Sequence, residues 1–360
     1  KDKDNSVVHT CIMKSKGLPF PVTSSISVTL ELPDVATDDK GNKGFWTMIY
    51  DEGMEVVIDN RKFFAFFNYT GWLKITSHCG ETFTGTYHED VAYGAKQWGC
   101  WRGRKTQAVA ATTYERETLP EEILNSKFSN DQSFIDAINA EQQGLWTAKS
   151  YPQFEGMKLA DLLRKGGRHM QSVKRDAHLA HLQAMKPFAK SSSNLSQYPD
   201  NWDWRNVNGT NFVSPVRNQE SCGSCYAFGT MGMLEARTRI QTLNKQQPTY
   251  SPQAIVNCST YSQGCSGGIE YLVAKYGSDF GIVPEKCEPY IGSDAKCNDK
   301  CSGSNVTYVE NYQFVGGYYG GCNEEAMIKH LVEEGPVVVG FYVYDDFFHY
   351  SHGIYRHGFN

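Results

Sequence analysis

The sequence has no apolar run near the roughly 18 consecutive residues that a membrane-spanning helix needs. Its mean hydropathy of −0.49 agrees with that, so no membrane partner is expected. Strong charge is also missing. There are 35 Lys and Arg against 40 Asp and Glu, a net charge of −5, which gives no electrostatic case for nucleic acid. The opening KDKDNSVV has no hydrophobic stretch of the signal-peptide kind, so any targeting segment is expected to have been removed. No internal repeat is visible, and the cysteines lack the two close pairs of a zinc ribbon. After Cys222 and Cys225 the next are Cys258 and Cys265, so no metal is expected.

Cysteine itself is plentiful. Eleven cysteines, five of them clustered from Cys258 to Cys301, accompany sequons at Asn68, Asn194, Asn208, Asn257 and Asn305. Together they favour a secretory-pathway history, lysosomal or secreted, with these five asparagines as glycosylation candidates. Because eleven is odd, at least one thiol has no partner within the chain.

The 360 residues divide into three stretches of different character. Residues 1–110 read as short strands rich in aromatic and β-branched residues, with turn signals at Asp51–Gly53 and Asp59–Asn60, and suggest an antiparallel barrel or sandwich. Phe63, Phe64 and Phe66 are expected in its core. Residues 111–197 become helical. Phe134, Ile135, Ile138 and Leu145 fall near one face behind a capping Asp131, and Leu159, Leu162 and Leu163 mark a second helix that RKGGRH breaks. A basic run from Arg164 to Lys190 and the Ser-rich KSSSNLSQYP then read as an exposed, cleavable linker. Residues 198–360 are rich in Gly, Cys and aromatics, and this third domain carries the candidate chemistry.

That chemistry centres on NQESCGSCYAFG, residues 218–229. CGSC has redox-couple spacing, but VSPVRNQES before it is a poor strand, so the βαβ context of a thioredoxin-like motif is lacking. A nucleophile fits better. Phe228, Met231, Leu234 and Ile240 follow Cys225 at helical spacing with no proline until Pro248, which seats Cys225 at the start of a long helix. There the dipole and unpaired N–H groups favour a thiolate. Gln219 could fold its amide back beside the sulfur and, with the Cys225 backbone N–H, receive a carbonyl oxygen under attack. Cys222 is then free for a structural disulfide.

At these residues the chain resembles the papain-like cysteine proteases. CGSCYAF after Gln219 is similar to their active-site segment, WDWRN at 202–206 to the start of their mature domain, GCSGG at 264–268 to their substrate-binding glycine strand, and HGIY at 352–355 to the lead-in to their second half-domain. FVSPVRNQESCGSCYAFGTMGMLEAR, GGYYGGCNE and RKFFAFF resemble the branch of the family that removes dipeptides and carries an exclusion domain.

The resemblance implies an α+β architecture: an antiparallel β-barrel exclusion domain, a helical activation peptide, and a papain-like two-lobed catalytic domain of which the helical left lobe and the start of the right lobe are present. It implies Cys225 as nucleophile, Gln219 in the oxyanion hole, and Gly223, Gly267 and Gly268 at the substrate. Disulfides Cys222–Cys265, Cys258–Cys297, Cys287–Cys301 and Cys11–Cys100 are implied, with Cys322 a buried free thiol.

It further implies peptide or protein substrates with a free N-terminus, a homotetramer, and a light chain carrying the catalytic histidine and asparagine, expected beyond Asn360. An amine-binding aspartate and a partner for Cys79 are expected ahead of Lys1. His349, His352 and His357 are expected to be partly exposed residues beside a strand end, not substitutes for that histidine. Chloride is the one implied ion, held by backbone N–H groups at Ile269 and Tyr271. Phe314 stands where the family has a tyrosine hydroxyl and cannot donate, so a weak amide nest and a plain apolar wall both stay open. An ordinary endopeptidase and a non-catalytic binding protein are the alternative functions.

Overall fold

Asp59 and Asn60 both adopt positive φ, 49° and 57°, the two-residue turn whose twist suits a tight antiparallel hairpin. It joins β4 (Gly53–Ile58) to β5 (Arg61–Thr70) in the computed structural model, which describes residues 11, 21–115, 118–142, 144–166, 195–298, 301, 306–341 and 343–358. The remaining strands of this sheet are β1 (Val28–Glu31), β2 (Val35–Asp38), β3 (Lys43–Ile49), β6 (Lys74–Thr82), β7 (Gly85–Glu89), β8 (Gly99–Trp101) and β9 (Thr112–Glu115). Every pairing is antiparallel, in the order β1-β2-β3-β4-β5-β6-β9. The sheet branches at β5: Arg61–Phe64 pair with β7, while Phe67–Thr70 pair with β6 across a register shift. One strand shared between two partners makes the sheet curl.

Successive strand residues face opposite ways, and Phe63 and Phe64 use this. Phe63 packs with Val56, Ile58 and Ala36 inside the curl. Phe64 points outward into a second core with Tyr226, Met231, Ile255 and Leu272, its ring 5.2 Å from that of Tyr261. The β-sheet domain and the Cys225-bearing domain therefore share a core.

In the middle stretch, α1 (Glu121–Asn125) and α3 (Leu159–Arg164) flank α2 (Gln132–Glu141) and β10 (Trp146–Ala148). Asp131 caps α2, accepting from the Ser133 and Phe134 N–H groups, and its carboxyl is held below the usual range by the Ser133 hydroxyl and these N–H groups. Ile135 and Ile138 bury with Trp146 and Ala148. Leu145, expected on the same face, is exposed instead. The helix ends at Glu141, and Gly144 turns the chain at φ 83°, so that Trp146 takes the buried place. β10 pairs with β11 (Tyr350–Gly353), joining this stretch to the third domain. Of the basic run and the Ser-rich linker, residues 167–194 lie outside the described residues.

The third domain contributes α4 (Cys225–Gln241), α5 (Pro252–Cys258), α6 (Glu270–Asp279) and α7 (Glu324–Glu333). Helices with an antiparallel sheet make the chain α+β. Disulfides join Cys11–Cys100, Cys222–Cys265, Cys258–Cys297 and Cys287–Cys301. Cys79, Cys225 and Cys322 are free. Cys322, expected buried, is exposed, lying just ahead of the Asn323 cap of α7 on the surface. Among the described residues no helix is long and apolar enough to cross a membrane, and no cluster could hold a metal ion.

Ions are buried where the sheet meets α6. Lys275, fully buried, reaches Glu55 of β4 at 3.4 Å and Asp279 at 3.1 Å. His88 of β7 meets Asp279 at 3.1 Å. Burial alone would raise the Asp279 carboxyl, but Lys275 and His88 outweigh it and hold the group at about 2. Burial likewise opposes the Lys275 ammonium, and Asp279 and Glu55 more than offset it, so its value is raised.

Candidate active site

Ser224 occupies the cap position of α4 and Cys225 is the first residue of that helix. The loop before it is braced by a short relay. The Tyr290 hydroxyl donates to the Gln219 backbone oxygen at 2.7 Å. Having one hydrogen, it must accept from the Ser224 hydroxyl, 2.7 Å away. Cys222–Cys265 ties the loop to the glycine strand, and the Gly223 N–H donates to the Cys265 oxygen at 3.0 Å. Gly267 has φ 126°, while a Cβ on Gly268 would lie 2.5 Å from the Tyr226 ring. The backbone can run this close to the helix only because position 268 has no side chain.

Two carbonyl oxygens of the middle stretch enter this site. The Cys225 thiol donates to the Gly166 oxygen at 3.3 Å. The Gln219 side-chain amide donates to the Lys165 oxygen at 2.8 Å and to the Cys222 oxygen at 2.9 Å. The Lys165 ammonium in turn donates to the Glu220 backbone oxygen, and its value is lowered by burial against the pull of the Glu220 carboxylate. Sulfur and amide thus each face a peptide carbonyl, the group a papain-type site would attack.

The expectation of an ionised sulfur is corrected in this form of the chain. Burial pushes the Cys225 thiol up, the nearby Glu270 carboxylate adds to the rise, and the Tyr226 and Cys225 N–H groups only partly oppose them. The helix-terminus effect is present but outweighed, because the covering carbonyl segment removes water from the sulfur.

Ile269, Tyr271 and Phe314 fall in one apolar cluster. Ile269 is the buried cap residue of α6. Phe314 stacks on Tyr271, ring centres 4.6 Å apart at 16°, and the Tyr271 hydroxyl donates to Glu55 at 3.0 Å. His349, expected partly exposed, is buried. Its ring lies 5.3 Å from Phe128 and 5.7 Å from Phe134, both supplied by the middle stretch, and burial lowers its value. His357 meets Asp346 at 3.0 Å, and His352 is exposed beside Ser351.

Of the sequons, Asn208 is exposed and Asn68 half-buried; Asn194 and Asn305 lie outside the described residues. Asn257 is a poor glycan acceptor here. Its amide donates to Glu288 at 2.7 Å while its oxygen accepts from Gln253 and Ala295. Sequence reasoning missed Glu270, the Ser224–Tyr290 relay and the Lys165–Gly166 carbonyls. RKGG read only as a helix breaker, and nothing in it marks a partner 59 residues away.

Residues 198–360 match the profile described as papain family cysteine protease, and residues 2–105 that of the cathepsin C exclusion domain. Cathepsin C of Schistosoma mansoni is 34% identical over 358 residues, which is 92% of this chain and 72% of that protein. Cathepsin Z of Onchocerca volvulus is 32% identical over 194 residues, 49% of this chain and 61% of that one. Among solved structures, the digestive procathepsin L2 proteinase from Tenebrio molitor larval midgut is similar at 25% identity and a TM-score of 0.47, over 67% of this chain and 76% of that one.

Proposed function

Because the chain belongs to the papain family of cysteine proteases, in the group that carries a cathepsin C exclusion domain, we propose that it is the latent precursor of an exopeptidase that removes dipeptides from free N-termini. The observation that carries this reading is the pair of contacts from Gly166 to Cys225 and from Lys165 to Gln219. A backbone segment lies across nucleophile and amide as a substrate would, over a thiol held in its protonated form.

Once that segment leaves, the Cys225 thiol passes its proton to an imidazole of a light-chain partner, and the sulfur gives its electron pair to a substrate carbonyl carbon. A sulfur–carbon bond forms and the carbonyl π electrons move to oxygen, where the Gln219 amide and the Cys225 N–H receive the negative charge. Collapse of this intermediate breaks the carbon–nitrogen bond. The departing amine takes that proton from the imidazolium of the light-chain partner that the resemblance implies. Water then attacks the thioester, releasing the acid and regenerating the thiol. The exclusion-type sheet packed on this domain supports an exopeptidase over an endopeptidase, since it offers a wall against longer substrates. Assembly as a homotetramer and a lysosomal or secreted location complete the proposal.

The test uses the full-length protein treated with an activating endopeptidase. Intact mass should show loss or nicking between about Leu119 and Tyr198, with the appearance of two-residue release from a free-amine peptide. A single unchanged mass counts against the precursor reading. Equal cleavage of an amine-blocked peptide makes the protein an endopeptidase, and a processed Cys225 inert to an epoxide probe makes it a binding protein.

A further inference from the structure

Carboxylates flank the substrate side of the site. Glu220 directly follows the Gln219 amide. Asp294 accepts the Cys265 N–H at 2.8 Å. Glu270 is the first residue of α6, and its charge is felt at the Cys225 sulfur. A cation from the middle stretch enters this surround: the Lys165 ammonium donates to the Glu220 backbone oxygen and is attracted by the Glu220 carboxylate. The same residue presents its backbone oxygen to the Gln219 amide at 2.8 Å. A positive side chain is thus seated beside the amide in this form of the chain.

Glu270 differs from the other two carboxylates. Asp294 is engaged by the glycine strand and Glu220 attracts Lys165, whereas the half-buried Glu270 has no hydrogen bond or ion pair among the described residues. A carboxylate partly removed from water gains from a cation that comes to it. Its place in the chain says which cation. Cys265 is tied to Cys222 in the loop of Gln219, and Gly268 lies against the Tyr226 ring. Glu270 follows two residues on, no more than about 7.6 Å from Gly268. Leaving the Gln219 loop along the glycine strand therefore leads to Glu270. A dipeptide whose second carbonyl is held at Gln219 places its first residue one step, about 3.5 Å, further along that strand.

We propose, resting on the dipeptide-releasing function above, that Glu270 is a specificity-determining residue that selects a lysine or arginine side chain at the first position of the substrate. The free α-amine is common to every substrate of that kind, so it sets no preference among them. A carboxylate within reach of the side chain does. Because the groove is open to solvent once the covering segment leaves, added salt screens this attraction.

The test uses the full-length protein after processing and three free-amine peptides that differ only in their first residue: lysine, its uncharged analogue norleucine, and glutamate. For the wild type, kcat/KM should favour lysine over norleucine by roughly fivefold, the upper range for a solvent-screened ion pair, with glutamate last. The ratio should fall as sodium chloride is raised. Glu270→Gln should bring lysine and norleucine within about twofold of each other, and Glu270→Lys should put glutamate ahead of lysine. Ratios are read because Glu270 also acts on the thiol, an effect common to all three peptides. A wild type without the lysine preference, or a Glu270→Gln variant that keeps it, overturns the proposal. A variant that loses only Tm does so too, leaving Glu270 a partner of the α6 dipole. Should the variants fail to accumulate, the wild-type ranking and its salt dependence decide. Dissociation constants of the same peptides for the processed Cys225→Ala variant give the ranking without turnover. Tighter binding of the lysine peptide with no dipeptide release by the wild type sinks the proposed function and keeps this assignment, whereas dipeptide release with equal binding does the reverse.

Discussion

The Gly166 carbonyl oxygen sits 3.3 Å from the Cys225 sulfur and accepts a hydrogen bond from its thiol, although 59 residues separate the two. This one contact links the state of the middle stretch to the chemistry of the site.

The first prediction concerns thiol reactivity. Burial and Glu270 raise the Cys225 value above that of an ordinary thiol, so near neutral pH the thiolate fraction is lower than for an exposed cysteine and grows as pH rises. Alkylation of the unprocessed chain should therefore be slow and climb with pH. Removal of the covering segment should speed labelling at neutral pH by about tenfold or more, since one unit of thiol value corresponds to a tenfold change in thiolate below it. Probe kinetics from pH 5 to 9 on both forms check this. Equal rates would mean that Gly166 does not cover the sulfur.

The anchoring of the middle stretch should depend on Trp146. It is 1% exposed, packs on Ile135 and Ile138, and donates to the Arg356 oxygen at 3.0 Å. Trp146→Ala is expected to cost about 3–5 kcal/mol locally. Limited proteolysis of this segment and faster Cys225 labelling, with the sheet and α4 still folded by circular dichroism, are the readouts.

The interdomain ions give a pH dependence whose sign follows from the shifts. Asp279 is lowered from 3.8 to about 2, so its contribution is present above the unfolded value and is lost as pH falls toward 2. Lys275 is raised above 10.5, so its contribution is present below the unfolded value and is lost as pH climbs beyond the folded one. Between roughly pH 4 and 10 this pair should leave stability flat. Asp279→Asn should cost on the order of 3–5 kcal/mol in that window, and the difference from wild type should shrink below pH 3. Denaturant midpoints measured across pH test both statements.

Replacing Cys222 and Cys265 together by alanine opens a loop of 43 residues. The expected loss is about 4 kcal/mol, with weaker binding of substrate backbone because the glycine strand is no longer tied to the loop of Gln219. Chemical denaturation and the KM of the processed double variant report the two effects.

What could be read from sequence was local. The Asp59–Asn60 turn, the Asp131 cap and the start of α4 at Cys225 each depend on residues a few positions apart, where spacing carries the signal. Glu55 gave no such signal, because an acidic residue in a strand usually faces water and its partner Lys275 lies 220 positions on. His349 was misjudged for the same reason: the phenylalanines that enclose it come from the middle stretch, and its immediate neighbours do not show this. Cys322 looked like a core thiol only by resemblance, whereas its place ahead of a surface helix exposes it. The fold class and the seat of Cys225 at the start of a helix were legible, while the electrostatic surroundings of that sulfur came from parts of the chain with no pattern pointing at one another.

The antiparallel pairing of Trp146–Ala148 with Tyr350–Gly353 outlives any cut made in the linker. On the precursor reading, cuts before α1 and beyond Gly166 would leave the strand bonded and its tryptophan anchored, so the fragment would persist as a competitive inhibitor with its own dissociation constant. Full release of activity would then lag behind chain cleavage, and the delay would depend on how far the mixture is diluted.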